Sequence, residues 1–468
     1  MRDHVDAVVV GAGVAGLTCA LQLARRGRRI VLLEAAAEPA RAGAAWVNGV
    51  ERTLFADLAL GRPPEGVVVD EAPAFTMQSP GGHRVRCAPV PTVGVDMRAL
   101  QAWILARARA AGADVRYGVR ALGPELVGTR VTGVHVDDAA GARTVAAPLV
   151  VDAAGLAAPV RDALPTQLFR EPFWDETAQG PWVGDADLCL AHQEVRRIAD
   201  TPRARRWLVE SGLLEGETLS YAGIAGGYSI CNVHVDLAHG TAGFLSGSKL
   251  DAPKSARRLI LDLIERLGFL GERVFGGGRK LPLRRAFDLL VGDGWALLGD
   301  AGSQMFPSHG SGVATGMIAA SLLADVADRA LTQGDVSRAA LWPYAVRWHR
   351  GRGAVCAAND VLRRLTETLG PEDVDALVRD GLLGEAELAQ SLACAPAALD
   401  PTSLALRAPQ LLRRLPWLVR RFLPVVTRAA LVQRHYERFP TRWDAAGLDA
   451  WSRRTSALFA PERMRMAA

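Results

Sequence analysis

Lysine is almost missing. Of 55 basic residues only Lys249, Lys254 and Lys280 are lysines; the rest are arginine. Against 50 acids this leaves a formal net charge of +5, mild for the length, and no interleaving of basic and aromatic side chains marks a nucleic-acid face. The six cysteines, Cys19, Cys87, Cys189, Cys231, Cys356 and Cys394, fall in no C-x-x-C or Cys/His ligand spacing. That argues against a zinc site or a disulfide framework and suits a reducing compartment. No apolar run reaches the roughly 18 residues of a membrane span. The first strand begins too early for a signal peptide, and neither repeats nor low-complexity tracts occur. A cytoplasmic chain is expected. Its 468 residues, 49% of them hydrophobic, suffice for about two to three well-cored domains.

What is present begins at Asp6–Glu34. The valine-rich run 6–10 reads as a strand buried on both faces. Gly11, Gly13 and Gly16 follow as G-x-G-x-x-G, with Ala15 in the same turn, then a helical stretch and a second strand ending at Glu34. Gly11 makes the tight turn, Gly13 lets the backbone approach a pyrophosphate, and Gly16 lets helix and strand pack closely. The helix N-terminus offers free N–H groups to the phosphates. Glu34 stands where a carboxylate accepts both hydroxyls of an adenosine ribose. Strand, glycines, helix, strand and acid in register point to a dinucleotide, FAD or NAD.

Along the rest of the chain, 66–95 reads as strands with a turn at 79–82, and 96–111 as an amphipathic helix. Segments 115–119, 130–136 and 144–147 read as a β-meander, and 149–152 as a buried strand. A helix is predicted over 191–211, a strand over 228–236, and helices over 255–267 and 312–327. Beyond about residue 335 the chain reads as helical. The predicted boundaries are a cofactor domain at 1–65, 96–161 and 291–345. A substrate domain takes 66–95 and 162–290, and a helical region takes 346–468.

Two further motifs carry chemistry. One is Val150-Val151-Asp152-Ala153-Ala154-Gly155, closing at Arg161. The other is Gly299-Asp300-Ala301 with Pro307-Ser308-His309-Gly310-Ser311-Gly312. Asp300, at a strand end, can accept a ribityl hydroxyl. Gly310 and Gly312 open a helix at Val313 whose N-terminus would favour negative charge on an isoalloxazine by about 0.3–2 kcal/mol.

With these motifs the chain resembles the FAD-dependent oxidoreductase superfamily of glutathione reductase-type Rossmann fold, which includes aromatic hydroxylases, geranylgeranyl reductases and flavin halogenases. The resemblance covers about 1–345. It implies an α/β fold, with a Rossmann-type FAD-binding domain, an inserted mixed β-sheet substrate domain and a helical C-terminal region. It carries Arg41 over to a pyrophosphate contact, Arg98 to the arginine opening the long helix near the cofactor, and Val119 to an adenine contact. Ala158 stands where the family has a serine. Halogenases of the group use a lysine in the first third of the chain, which is absent here, as is W-x-W-x-I-P. The strand 227–232 resembles in placement the reductases' G-Y-x-W-x-F-P strand but lacks its tryptophan and proline.

The resemblance thus favours reduction of carbon–carbon double bonds in a hydrophobic, isoprenoid-like substrate. The alternatives are a single-component hydroxylase using NAD(P)H and oxygen, and a non-redox flavin-dependent cyclase. NAD(P)H as a transient donor or a small redox protein would supply electrons, since no second G-x-G-x-x-G occurs. His309 and Tyr228 are the predicted catalytic residues, while Cys231 reads as packing. Trp174 and Trp182 either line the pocket or pack in the core. The stretch 407–442 has an apolar stripe (Leu411, Leu412, Leu415, Leu418, Val419, Phe422) opposite arginines and is broken by Pro416 and Pro424. It reads as a peripheral contact with the inner face of a membrane or as two small capping helices.

Overall fold

The computed structural model describes residues 5–43, 46–169, 183–396 and 416–460, so Trp174, Trp182, Leu411, Leu412 and Leu415 lie outside the described residues. Ala7–Val10 is the central strand of a six-stranded sheet, parallel to Leu149–Asp152 on one side and Ile30–Glu34 on the other. All four of its side chains are buried, which is why an unbroken valine run suits it. Trp295–Leu297 and Asp114–Tyr117 extend the parallel array, and Val291–Gly292 adds an antiparallel edge. The helices Val14–Ala24, Met97–Ala110 and Val313–Thr332 pack together over one face. Asp96 caps the second of them by accepting from Ala99 N at 2.7 Å. A three-stranded meander covers the other face with Val131, Val134 and Val136.

The meander corrects the sequence reading. Its strands are Arg120–Val127, Arg130–Asp138 and Gly141–Ala146, whereas 114–117 belongs to the parallel sheet. Gly123 and Pro124 disguise the first strand, and the pairing absorbs them with register shifts.

A second sheet of seven strands faces the first domain. Its order is Leu270–Pro282, Leu188–Ile198, Thr241–Lys249, Ser229–Asp236, Thr218–Ala222, Phe75–Gln78, Arg84–Cys87. The predicted helix over 191–211 is therefore a strand followed by the helix Thr201–Glu210. Pairing on both sides of Leu188–Ile198 outweighs its mixed propensities. Alternation divides the sheet's faces. Leu219, Val233 and Phe244 point outward under Thr201–Glu210 and Ala256–Leu267 and form a core of their own. The intervening residues point toward the first domain.

The C-terminal helices pack beside both units. Pro416–Tyr436 is one continuous helix with Pro424 inside it, not two fragments. Phe422, Val425, Val426 and Val432 are buried, and the helix runs against Arg352–Thr366. That burial outweighs the roughly 3 kcal/mol a proline costs in a helix interior. The wholly buried Arg363 anchors this region. It reaches Asp360 at 2.6 Å and, across the domain boundary, Asp187 at 3.1 Å. Among the described residues no helix is long and apolar enough to cross a membrane.

Candidate active site

A cavity of about 1180 Å³ lies between the C-terminal ends of the parallel strands and the inner face of the seven-stranded sheet. It exceeds the ~300–1,000 Å³ of a single small-molecule pocket. At one end the glycine turn shows three different constraints. Gly11 has φ +102°, and a Cβ there would lie 2.5 Å from the Ala153 carbonyl oxygen. A Cβ on Gly16 would come within 2.1 Å of the Gly11 carbonyl oxygen, so this glycine serves helix–strand packing behind the cavity. A Cβ on Gly13 would meet nothing within 4 Å. That open space beside a helix N-terminus is the shape a pyrophosphate needs.

Glu34 is fixed by two backbone donors, Ala12 N to Oε2 and Ala36 N to Oε1, each at 2.8 Å. It lines the cavity with acceptor capacity to spare. Ala15, Val119 and Gly155 line the same end.

In the second motif Asp152 does not face a ligand. Wholly buried, it accepts from the N–H groups of Ala154, Val160 and Arg161 and so shapes the loop. Burial raises its pKa, and those same hydrogen bonds oppose the rise. Arg161 turns away from the cavity and donates to the Ala301 carbonyl at 2.7 Å, bracing the third motif.

That third motif sits on a strained turn: Gly299 has φ +66° and Ser303 φ +51°. Gln304 Oε1 accepts from Gly299 N at 2.9 Å, and its amide donates to the Tyr344 hydroxyl at 2.8 Å. Neither brace was visible in the sequence; the only signal is a glutamine inside an otherwise apolar and glycine-rich stretch. The turn presents Asp300 to the cavity, and no hydrogen bond reaches its carboxylate among the described residues. Burial pushes its pKa up to about 6, with Arg279 opposing. A Cβ on Gly312 would stand 3.3 Å from Asp300 Oδ1. An unpaired, half-buried carboxylate beside glycines at the cavity wall fits a ribityl hydroxyl.

This gives a paired expectation. Asp300→Asn should weaken flavin binding about tenfold to a hundredfold, the loss of one charge-assisted hydrogen bond. In flavin-free protein, Asp300 contributes stability that is fully present below its unfolded value near pH 4. That stability is lost as pH rises through about 6. The variant should therefore melt higher than wild type at pH 8 when flavin-free. Titration with FAD and melting at pH 5 and 8 check both halves.

Gly299, Gly310, Gly312 and Val313 complete this stretch of the wall. Arg41 and Arg98 do not reach it. Arg41 is exposed on a 3-10 turn and pairs with Glu38 at 3.0 Å. Arg98 lies on the outward side of its helix, 5.9 Å over the Phe275 ring. Arg279, which the sequence reading did not single out, instead lines the cavity and donates to the Gly43 carbonyl.

His309 and Tyr228 both line the cavity. His309 Nε2 lies 2.7 Å from the Ser391 carbonyl oxygen, which can only accept, so this nitrogen carries the proton. Burial lowers its pKa, with the carbonyl contact opposing. The ring is thus neutral near pH 7 and ties the 307–312 loop to the helix Glu385–Leu392. Tyr228 is buried beside Cys189 and its hydroxyl approaches Gly310. Burial, then the Cys189 neighbour, pushes its pKa well above 10, so the phenol keeps its proton. Cys231 packs in the outer core.

Comparison with known proteins points to the same fold. The FAD dependent oxidoreductase family matches residues 6–53, the strand–glycine–helix–strand unit itself. Over that unit the chain is similar to the FAD dependent oxidoreductases. Digeranylgeranylglycerophospholipid reductase 1 of Methanopyrus kandleri is 27% identical over 377 residues, covering 77% of this chain and 91% of that protein. A geranylgeranyl bacteriochlorophyll reductase-like protein from Thermoplasma acidophilum shares the fold with a TM-score of 0.69 at 18% identity, over 88% of this chain and 98% of that one. The p-nitrophenol 4-monooxygenase of Pseudomonas putida shares it at TM-score 0.60 and 16% identity, over 84% and 99%.

Proposed function

We propose that this flavoenzyme reduces carbon–carbon double bonds in a hydrophobic, isoprenoid-like substrate. The observation that carries this reading is the inner face of the seven-stranded sheet. It presents Phe75, Met77, Ile230, Leu245 and Leu281 to the cavity directly opposite the Asp300–Gly312 wall. An apolar floor over a flavin site suits an apolar chain, and the reductases among the relatives act on prenylated molecules. FAD in its reduced form supplies a hydride to an electrophilic carbon.

This chain's residues would do the rest. Glu34 and the 11–16 turn hold the adenosine and pyrophosphate, and Asp300 holds the ribityl chain. The N-terminus of the helix Val313–Thr332 lines the same wall and would favour negative charge on a ring held there. Leu388 and Leu392 close the far side against water. Tyr228, protonated and buried against Gly310, holds the proton that the second carbon must receive. His309, with Nε2 committed to Ser391, positions the loop and the closing helix. Tyr228→Phe should lower kcat by about a hundredfold with KM and flavin content little changed, whereas His309→Ala should act mainly on KM. Steady-state kinetics read the split.

NAD(P)H docking transiently fits a site in which no second dinucleotide motif is built. Membrane contact by 407–442 would rest on exposed arginines such as Arg420, Arg434 and Arg438, because Phe422, Val425, Val426 and Val432 of the described helix are buried and Arg421 is engaged by Thr368 at 2.9 Å. Incubating the protein with dithionite and an isoprenoid alkene without oxygen tests the reading. Formation of the saturated product supports it. Product formation only when oxygen is admitted would favour the hydroxylase.

A further inference from the structure

The inner face of the seven-stranded sheet is not uniformly apolar. Register aligns Met77, Ser220, Asn232 and Leu245 across four strands, and all four line the cavity. A serine and an asparagine thus sit side by side between a methionine and a leucine. The Asn232 Oδ1 atom is sealed from solvent and has no hydrogen-bond partner among the described residues. An unpaired amide oxygen is costly, and turning the amide about its last bond exchanges it with the accessible nitrogen end, where a ligand donor meets it.

The next row on the same face holds Thr218 and His234, 3.4 Å apart. His234 Nδ1 in turn lies 3.8 Å from Asp70 Oδ2, and Asp70 also lines the cavity. Asp236 and Glu71 add further negative potential around Asp70. The cations of the substrate wall are elsewhere. Arg279 and Lys280 stand on the edge strand, three strands from Ser229–Asp236, roughly 14 Å away at the usual strand spacing. The polar spot in the apolar floor is acidic on its flank.

We propose that Asn232 and Ser220 bind the uncharged, hydrogen-bond-donating head of an otherwise apolar substrate, a hydroxyl or amide, and that Asp70 turns away a phosphate or diphosphate head. This rests on the alkene-reductase reading and narrows its substrate. An alcohol head donates to the free Asn232 oxygen and can accept from the serine hydroxyl. A diphosphate is mostly fully ionised at neutral pH, so it is chiefly an acceptor and meets like charge.

The test titrates the FAD-loaded protein with geranylgeraniol and with geranylgeranyl diphosphate, reading the perturbation of the flavin visible spectrum, which needs no turnover. The alcohol should bind at least about tenfold more tightly than the diphosphate, the effect of one good hydrogen bond. Asn232→Leu should abolish that preference by weakening the alcohol about tenfold, with Ser220→Ala a milder form of the same change. Asp70→Asn should tighten the diphosphate severalfold and leave the alcohol nearly unchanged. Melting temperature and flavin stoichiometry establish that each variant is folded and loaded. Tighter binding of the diphosphate by wild type, or an unchanged alcohol affinity in Asn232→Leu, overturns the anchor while the isoprenoid reading stands. A spectrum moved by neither compound overturns both.

Discussion

Gly13→Val should give a protein that folds normally and is colourless. The backbone at Gly13 lies at φ −66° and ψ 168°, an extended conformation any residue adopts. A Cβ there meets no protein atom, so the flavin-free fold has no reason to suffer. The added side chain would instead fill the space proposed for the pyrophosphate. Gly16→Val should behave in the opposite way, because its Cβ would stand 2.1 Å from the Gly11 carbonyl oxygen. That clash forces the first helix off its strand. Flavin content and thermal melting, measured together, separate the two. Loss of flavin with an unchanged flavin-free melting temperature is expected for Gly13→Val. Loss of both is expected for Gly16→Val.

The second large effect is expected at Arg363. Its guanidinium is fully buried between Asp360 and Asp187 and also contacts Glu367. Truncation to alanine leaves Asp360 buried with, among the described residues, Arg364 at 3.4 Å and the Arg285 backbone N–H. Removing one partner of a buried pair costs about 3–5 kcal/mol. The damage should concentrate where the C-terminal helices meet the substrate sheet, raising KM for a substrate held under Leu388 and Leu392. Replacing both members, Arg363→Met with Asp360→Leu, should recover much of the stability.

The sign of the pH dependence follows. Burial alone would raise the Asp360 pKa, yet Arg364 and Arg363 hold it well below the ordinary carboxylate range. Its contribution is present above about pH 4 and is lost on further acidification. Melting curves across pH 2–7 should show a smaller acid loss in the double variant than in wild type, the remainder coming from other carboxylates such as Glu217 and Asp375.

The cofactor half of the molecule was legible because its constraints are local. A valine run, glycines at fixed offsets and an acid at a strand end each act within a few residues, and Ala7–Glu34 folds as that pattern requires. The substrate half was less legible because its strands are decided by partners distant in sequence. Leu188–Ile198 takes its conformation from 241–249 and 270–282. The latter strand carries three consecutive glycines that argue against a strand when read alone. Arg161 and Gln304 were invisible as braces for the same reason, since their partners lie 140 and 40 residues away. The 407–442 stretch read either as a membrane contact or as capping helices because amphipathicity shows which side is apolar and not what covers it. In the described helix Pro416–Tyr436, where Phe422 is buried, the neighbouring element is Arg352–Thr366.

The most direct measurement is a single turnover without oxygen. The flavin-loaded protein is bleached with one equivalent of dithionite and mixed with a long-chain isoprenoid alkene while the flavin absorption is followed. The yellow colour should return in proportion to the alkene added, and the recovered product should carry two more hydrogens. Colour that returns only when oxygen is admitted, with oxygen found in the product, would contradict alkene reduction.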